Sequence, residues 1–320
     1  MPTFLQRLQR ITPQQLRAFE ATARLGSVTK AALALHVSQP TVSVQLREIA
    51  SALEEPLFET VGRQLRLTQC GGLLQQTITD INGCWQMLES RLSEVRGLVR
   101  GHLRIAAVTT AEYFVPDLLG PFAAAHPGVD IELVVENRDR VVERLTRGHD
   151  DLTVMMLPPQ DLPLEAVPFL DNPLVVIAPA SHALAGKRLP LQRLAKERWL
   201  MRESGSGTRM TAEQHFAKVG FQADIAMSLG SNEAIKHAVA AGLGLAVVSR
   251  LAVADHLSQT SGADAKLVQL QVQGFPLRRS WSVVWRRDKP LSVAAKRFAS
   301  YLQEVPRQSK IRPKPAITLP

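Results

Sequence analysis

The chain has 320 residues, of which 45% are hydrophobic and 21% are charged. This composition is typical of globular proteins, and the length predicts two or three domains. Lys and Arg exceed Asp and Glu by nine, but the segment from Arg278 onward holds eleven basic and two acidic residues and accounts for the whole excess. The rest of the chain is neutral, so bulk charge is excluded as evidence for a nucleic-acid partner, and residue patterns must supply it.

Cysteine usage and hydropathy predict the compartment. Cys70 and Cys84 are the only cysteines, which excludes a disulfide framework and favours a reducing environment. Neither cysteine has the spacing of a metal ligand, so we expect no metal site. The N-terminus has no long apolar core and no other segment approaches the length of a membrane span, so we expect no signal peptide and no membrane partner. These features predict a cytoplasmic protein.

The first 53 residues predict three short helices. Thr12 and Pro13 form a helix start and Gly26 a helix stop, with Leu16, Phe19 and Ala23 as the buried face. In the next segment Ser27 and Ser38 stand at N-cap positions, Pro40 is tolerated in a first helical turn, and His36-Val37 leaves room only for a sharp turn. Apolar residues recur at helical spacing on both sides of that turn, at Val28, Ala31, Ala32 and Leu35, and at Val42, Leu46, Ile49 and Leu53. This pattern predicts a helix-turn-helix braced by the first helix.

The outer face of the second of these two helices is rich in amides and hydroxyls. Gln39, Thr41, Ser43 and Gln45 could contact base edges in a major groove, and Arg47 suits a phosphate. An ordinary polar helix face is the alternative interpretation. Residues 56–67 favour DNA binding, because an extended run from Pro56, a turn at 61–64 and the alternating Leu65-Arg66-Leu67 predict a two-stranded wing. Arg63 and Arg66 would lie at its tip and outer side, where they could hold the DNA backbone.

These motifs resemble the N-terminal signature of the LysR-type transcriptional regulators. They read TPQQLRAFEATARLGSVTKAA, SQPTVSVQLREI and LFETVGRQLRLTQCGG. The resemblance implies an α+β multidomain fold with an N-terminal winged helix-turn-helix, a long linker helix and a C-terminal two-lobed domain of the periplasmic-binding-protein type. Thr60 replaces an arginine that is usual in the family, and Val44 stands where arginine is frequent. The DNA-contacting residues that we predict are Thr29, Lys30, Ser38, Gln39, Pro40, Thr41, Ser43, Arg47 and Arg63.

A long helix follows the predicted wing. Thr68 can cap it, and no proline interrupts it as far as Val95 or Val99. Apolar residues alternate at spacings of four and three, at Leu74, Ile78, Ile81, Trp85, Leu88, Leu92, Val95 and Val99. Such a heptad seam, about 38 Å long at about 1.5 Å per residue, favours a dimerising linker, although it could instead pack on the chain's own core. A dimer predicts a palindromic double-stranded DNA operator.

From His102 the pattern changes to strands alternating with helices. The predicted strands are residues 103–108, 129–136, 152–157, 174–178, 199–203, 224–230, 245–249, 267–272 and 280–285. The predicted helices are residues 111–125, 140–147, 191–196, 233–241 and 292–304, with another that begins at Arg209. This order is typical of parallel βαβ sheets arranged in two lobes with two crossings. We predict domains at 1–69 (DNA binding), 70–100 (linker), 101–306 (effector binding, in two lobes) and 307–320, a basic disordered tail.

Polar residues follow several of these strands. Ligands in open α/β lobes bind beyond the carboxyl ends of strands, where helix N-termini present free amides. The candidates are Thr109, Thr110, Asn137, Arg202, Ser206, Thr208, Asn232 and Lys236, and Arg138 follows Asn137 directly. Together they predict a cleft for a small anion, a carboxylate or a phosphate ester, although glycine-rich loops and asparagine caps also occur without a ligand.

The second half of the chain resembles the CbbR-type regulators of the Calvin cycle. The resemblance rests on VTTAEYFVPDLLGPFAAAHPGV, VENRDRVVERL, FLDNPLVVIAPASHALAG, RESGSGTR and GSNEAIKHAVAAGLGLAVVS. It implies control of a carbon-fixation operon, a phosphorylated or carboxylated metabolite as effector, no further cofactor, and a homodimer or homotetramer. A regulator of another metabolic operon remains an alternative.

Two other classes of protein compete with a regulator. A solute-binding protein would explain the α/β half, but not the helix-turn-helix. An enzyme would need a nucleophile with a paired base, a metal cluster or an acid-base pair. The histidines are scattered, and neither HExxH nor GxSxG occurs, so we predict no catalytic residues.

The predicted DNA contacts separate into two classes that substitutions can distinguish. Arg47→Ala or Arg63→Ala should weaken binding to cognate and random duplexes alike, and each should reduce the slope of log affinity against log salt by about one. Gln39→Ala or Ser43→Ala should weaken mainly cognate binding, because amides and hydroxyls contact base edges. Fluorescence anisotropy across a salt series measures both effects. An equal loss on both duplexes for Ser43→Ala would contradict the assignment.

Overall fold

The computed structural model describes residues 3–62, 64–95, 99–258 and 266–304. The chain divides into two compact units, Met1–Trp85 and Gln86–Pro320. No helix in the described residues is both long enough and apolar enough to cross a membrane. The predicted tail at 307–320 and the wing-tip residue Arg63 lie outside the described residues.

The first unit contains the predicted helices and wing. In chain order its elements are α1 (Phe4–Leu8), α2 (Pro13–Leu25), α3 (Val28–Ala34), α4 (Gln39–Leu53), β1 (Phe58–Val61), β2 (Gln64–Leu67) and the beginning of α5 (Gln69–Val95). Strands β1 and β2 pair antiparallel. Helix α1 was not predicted. It is held by an Arg7–Glu54 ion pair of 2.7 Å, which connects it to the end of α4.

Local sequence explains where these helices begin and end. Thr12 and Gln15 form a reciprocal capping box at the start of α2, and Gly26 ends that helix in the left-handed conformation with φ 61°. The hydroxyls of Ser27 and Ser38 accept the first free amides of α3 and α4. His36 takes a φ of 56° in the turn. The helix-turn-helix prediction is therefore confirmed.

The apolar stripe of α4 contributes to two clusters. Val42 packs with Ala31 and Ala32 of α3. Ile49 instead packs with Phe19 of α2 and with Ile78 of α5, and it is fully buried. Burial of such a side chain is worth about 1.5–3 kcal/mol. The second half of the α4 stripe therefore packs against α2 and α5 rather than against α3.

Helix α5 starts where the sequence predicted. The Thr68 hydroxyl accepts the Gly71 amide at 3.0 Å. The first two seam residues, Leu74 and Ile78, are buried in the core of the first unit. The next four are exposed to between 39% and 65%, namely Ile81, Trp85, Leu88 and Leu92. The seam therefore divides in function, because its beginning completes the chain's own core and only its later part leaves an apolar face free.

The second unit consists of two lobes. Lobe I is a five-stranded sheet in the order β4-β3-β5-β13-β6, and lobe II is a six-stranded sheet in the order β10-β9-β11-β7-β12-β8. The strands are β3 (Gly101–Val108), β4 (Val129–Glu136), β5 (Leu152–Met155), β6 (Leu164–Asp171), β7 (Leu174–Pro179), β8 (Arg188–Leu189), β9 (Arg198–Arg202), β10 (Asp224–Leu229), β11 (Leu245–Ser249), β12 (Leu267–Val272) and β13 (Ser280–Arg286). The helices are α6 (Val115–Ala125), α7 (Arg138–Arg147), α8 (Gly207–Lys218), α9 (Asn232–Ala240), α10 (Ala254–Ser258) and α11 (Val293–Glu304).

The two-lobed architecture is confirmed, but the sheets are mixed rather than parallel. Strand β13 runs antiparallel to β5 and β6, and β7 runs antiparallel to β11 and β12. These strands flank the places where the chain passes between the lobes. The connections before β7 and before β13 contain no crossover helix in the described residues, so those strands need not lie parallel to their neighbours.

Several element boundaries differ from prediction. Helices α7 and α8 begin two residues early, because Asn137 and Ser206 are their N-caps. The predicted helix at 111–125 is a 3₁₀ turn at Thr109–Tyr113 followed by α6, and the predicted helix at 191–196 is only a 3₁₀ turn at Leu191–Leu194. Strands β6 and β8 and helix α10 were missed.

The two crossings between the lobes are hydrogen-bonded to each other. Leu174 and Leu277 exchange two backbone hydrogen bonds of 2.9 Å, and the Asn172 amide donates to the Arg279 carbonyl at 2.7 Å. The buried Asn172 side chain also accepts the Ser249 hydroxyl at 2.7 Å. The two lobes are therefore joined by a pair of ordered strand-like connections.

Two adjacent glycines of α5 should respond oppositely to alanine. A β-carbon at Gly71 would lie 2.2 Å from the Leu57 carbonyl oxygen, whereas one at Gly72 would meet nothing within 4 Å. We expect Gly71→Ala to destabilise the first unit by about 1–3 kcal/mol through overpacking. Gly72→Ala should stabilise it by about 0.5–1 kcal/mol, because alanine favours a helix. Thermal unfolding measures both, and a stable Gly71→Ala protein would contradict the contact with Leu57.

Candidate functional site

A cleft lies between the two lobes at the carboxyl ends of β3 and β9. It is lined by Val108, Thr109, Thr110, Arg138, Met156, Arg202, Glu203, Ser206, Gly207, Thr208 and Trp281. Thr109 and Thr110 follow β3 of lobe I directly, and Arg202 ends β9 of lobe II. The strand ends thus bring together five of the eight predicted effector residues.

Arg202 crosses from lobe II to lobe I. Its side chain is only 2% exposed. One terminal nitrogen donates to Asn232 Oδ1 at 2.8 Å and to Thr110 Oγ1 at 3.3 Å, and the other donates to Thr109 Oγ1 at 2.9 Å. Asn232 Nδ2 in turn donates to Thr110 Oγ1 at 3.0 Å. Asn232 therefore belongs to the site through these bonds, although it does not line the cleft.

The charge of Arg202 is matched by its neighbour. Glu203 accepts from Arg202 Nε at 2.7 Å and from the second terminal nitrogen at 2.8 Å, a bidentate pair. All three guanidinium nitrogens are thus bonded within the protein. The sequence predicted Arg202 as a ligand-binding cation, but in this arrangement it connects the lobes and its charge is neutralised.

The start of α8 presents polar groups to the cleft. Ser206 is the N-cap and makes no side-chain capping bond, so its hydroxyl is available, and both Ser206 and Thr208 are largely buried. The helix N-terminus adds free amides and a positive partial charge. Gly205, with φ +83°, lies so close to lobe I that a β-carbon there would stand 2.9 Å from an Asp139 oxygen. Glycine at this position therefore suits the left-handed backbone and leaves room for the Asp139 carboxylate of lobe I.

Arg138, and not Asn137, reaches the cleft from lobe I. Asn137 is exposed and its side-chain oxygen caps α7 by accepting the Arg140 amide at 3.0 Å. Arg138 donates from one terminal nitrogen to the Leu157 carbonyl at 3.0 Å, while its buried Nε has no acceptor in the described residues. Arg138 is the cation that lines the cleft and has no acidic partner there among the hydrogen bonds described.

Lys236 lies in a second, separate pocket between the lobes. This pocket is lined by Tyr113, Phe114, Asp117, Lys236, Leu251, Ala252, Ala254, Asp255 and His256. Lys236 Nζ pairs with Glu233 at 2.6 Å and lies 5.1 Å from the centre of the Tyr113 ring. The Tyr113 hydroxyl of lobe I donates to Glu233 of lobe II at 2.6 Å. The structure thus separates Lys236 from the other candidates.

The protonation of this cluster follows from its contacts. Burial raises the pKa of the Tyr113 phenol well above its usual range, and the hydrogen bond to Glu233 raises it further. Burial alone would raise the pKa of Glu233, but hydrogen bonds from Lys236 and Tyr113 together hold the pKa of its carboxyl below the usual value. At neutral pH the phenol therefore donates to a carboxylate, and the bond between the lobes is charge-assisted.

The predicted DNA-contacting residues lie on an exposed polar face of the first unit. Thr29, Lys30, Ser38, Gln39, Pro40, Thr41 and Arg47 are exposed and Ser43 is half-buried. Gln39 Nε2 donates to Ser43 Oγ at 3.0 Å, and Arg47 Nε donates to the Ser43 carbonyl at 3.3 Å. These bonds orient the amide and the cation along one side of α4.

A winged helix-turn-helix and a two-lobed unit with a polar cleft together define a DNA-binding protein that carries a small-molecule-binding domain. Comparison with known proteins gives the family. Residues 13–72 match the model of the bacterial regulatory helix-turn-helix proteins of the LysR family, and residues 96–307 match the LysR substrate binding domain. The chain belongs to the LysR family of transcriptional regulators.

Its relatives are named as regulators. The HTH-type transcriptional activator CmpR of Synechocystis sp. is 40% identical over 92% of this chain and 96% of that protein. The RuBisCO operon transcriptional regulator of Allochromatium vinosum is 43% identical over 91% of this chain and 95% of that protein. The solved regulatory domain of Synechocystis CcmR in complex with 2-PG is 41% identical, with a TM-score of 0.60, over 64% of this chain and 96% of that chain. These names agree with the prediction of a regulator rather than an enzyme.

The fork geometry of Arg202 should matter more than its charge. Arg202→Lys keeps the cation but cannot bond to both lobes and to Glu203 at once, so we expect it to destabilise the second unit by about 1–3 kcal/mol. Arg140→Lys is the control, since the ion pair of Arg140 in the described residues is an exposed i,i+3 pair with Glu143, and it should change stability by less than about 0.5 kcal/mol. Calorimetric unfolding compares the two. Equal losses would show that the Arg202 network does not hold the lobes.

Proposed function

We propose that this regulator controls a carbon-fixation operon and responds to a small phosphorylated acid bound in the cleft between the lobes. The observation that carries the proposal is that two features that attract anions line the same cleft. They are the N-terminus of α8 in lobe II, which has no side-chain cap, and Arg138 in lobe I. The carbon-fixation operon is supported by the names of the relatives, which include RuBisCO operon regulators.

The charges that line the cleft favour an anion. Glu203 neutralises Arg202. The remaining positive features of the cleft are Arg138 and the N-terminal end of α8. The Ser206 and Thr208 hydroxyls can donate to oxyanions, and so can the amides of the first turn of α8. Phosphate and carboxylate oxygens are the acceptors that suit such donors. The complex of the CcmR regulatory domain with 2-PG supports a small phosphorylated acid as the ligand.

Ligand binding would act through the contacts that already join the lobes. Thr109 and Thr110 line the cleft and also accept from Arg202. An anionic ligand would accept the hydroxyl hydrogens of these threonines while their oxygens still accept from Arg202, so it would add to the contacts that hold the lobes together. Such a ligand shifts the equilibrium only as far as its affinities for the two lobe arrangements differ. If the change in lobe arrangement alters DNA binding, the ligand in the cleft switches the activity of the regulator.

The DNA-bound form would be an oligomer. Two chains pairing through the exposed part of the α5 seam would cover Ile81, Trp85, Leu88 and Leu92, which are apolar and 39% to 65% exposed. The two-fold axis of the dimer would present two copies of α4 to the DNA, so the double-stranded operator would be palindromic. Association of dimers into a tetramer belongs to the same proposal. The protein would act in the cytoplasm, where its DNA target lies.

A titration of the purified full chain tests the effector class. At about one hundred times its Kd, 2-phosphoglycolate should add about 2.7 kcal/mol to the free energy of unfolding of the second unit. Thr208→Val should reduce this stabilisation, because it removes a hydroxyl that lines the cleft. Thr211→Val is the matched control on the same helix, since its buried hydroxyl only donates to the Gly207 carbonyl.

The alternatives give different results in the same assay. If only non-phosphorylated acids such as 2-oxoglutarate stabilise the protein, the carbon-fixation assignment is wrong and a regulator of another metabolic operon is favoured. If 2-phosphoglycolate stabilises the wild type and Thr208→Val equally, the ligand binds outside the proposed cleft.

A further inference from the structure

One side chain of the cleft wall has an unmet polar group. Trp281 is the second residue of β13, directly after the second crossing between the lobes, and it is 1% exposed. Its ring packs against Phe114 with centroids 5.1 Å apart. Trp281 also lines the cleft, together with Ser206 and Thr208 of lobe II. Trp281 is thus fixed in the core of lobe I and borders the ligand space.

The indole nitrogen of Trp281 has no acceptor among the described residues. A buried donor without a partner costs free energy, so such groups in native proteins call for an explanation. The Nε atoms of Arg7, Arg138 and Arg279 also lack an acceptor in the part of the chain that the structure describes, but arginine has other N–H groups that can bond, whereas tryptophan has only one. Trp199 of lobe II shows the ordinary case, because its buried indole donates to the Leu194 carbonyl at 3.4 Å.

Backbone geometry explains how the side chain is placed. The pairing of β13 with β6 shifts register between Trp281, which faces Leu170, and Ser282, which faces Pro168. Such bulges locally twist a strand and redirect a side chain, and they are frequent beside binding sites. The irregularity lies at the one residue of β13 that lines the cleft.

We propose that the indole N–H of Trp281 is a direct effector contact, donating a hydrogen bond to an anionic oxygen of the ligand in the cleft. This inference rests on the proposed function and names a residue that determines specificity within it. Arg138 Nε is the other unmet donor of the same wall. Together the two groups add two N–H donors to the lobe I wall, which favour phosphate or carboxylate oxygens over a ligand that presents an amino group to them.

Replacement of the indole tests the contact by isothermal titration of the full chain with 2-phosphoglycolate. Trp281→Phe keeps an aromatic ring against Phe114 but lacks the donor, and it should weaken binding about tenfold to a hundredfold. Trp199→Phe is the matched control, because it removes a buried indole from the other lobe and should leave the affinity unchanged. If Trp281→Phe does not fold, benzothienylalanine at position 281 preserves the shape and replaces N–H by sulfur, and it should weaken binding by the same factor.

The outcomes separate this inference from the proposed function. Failure of the wild-type chain to bind 2-phosphoglycolate would overturn the effector class in the first titration, and the indole contact with it. Wild-type binding that is lost in Arg138→Gln but unchanged at position 281, with either replacement, would leave the effector class standing and overturn the role of Trp281.

Discussion

The arrangement of the two lobes of the second unit depends on one buried guanidinium group. Arg202 bonds to Thr109 and Thr110 of lobe I while it remains paired with Glu203 and Asn232 of lobe II. A buried arginine is tolerated only when its charge and its N–H groups are satisfied, so the two lobes must lie where these acceptors converge. The paired crossings at Leu174 and Leu277 keep the lobes connected, but they do not set the contacts across the cleft.

This constraint makes the cleft sensitive to a ligand. The threonines that satisfy Arg202 are also the groups an anion would reach, and the hydroxyl-bearing start of α8 faces them. An anion that accepts from these threonines would therefore favour the lobe arrangement in which Arg202 is bonded to them, and such a preference is the condition for coupling between a ligand site and a conformational equilibrium. The Tyr113–Glu233–Lys236 cluster forms a second bond between the lobes, and α9 carries residues of both networks, since Asn232 and Glu233 are adjacent.

In the first unit, which carries the helix-turn-helix, the comparable constraint is that α5 both completes the core and carries the exposed apolar seam. Leu74 and Ile78 pack with Phe19 and Ile49, so the start of α5 is part of the core of the first unit. The direction in which α5 leaves that domain is consequently set by core packing, and Gly71 permits the close approach to Leu57. The same helix then presents Ile81, Trp85, Leu88 and Leu92 as an apolar face.

The sequence by itself determined the elements whose signals are local. Capping residues such as Thr12, Ser27 and Ser38, the turn at His36 and the stop at Gly26 predicted the helix-turn-helix, and strand ends predicted Thr109, Thr110, Ser206 and Thr208 as neighbours. Only the tertiary structure decided matters that depend on contacts distant in the chain. It paired Arg202 with Glu203, excluded Lys236 and Asn137 from the cleft, and placed Trp281 in its wall, which no local pattern signals because a tryptophan on a buried strand reads as core. It also set the antiparallel strands at the crossings, since strand direction follows from how the lobes pack and not from periodicity.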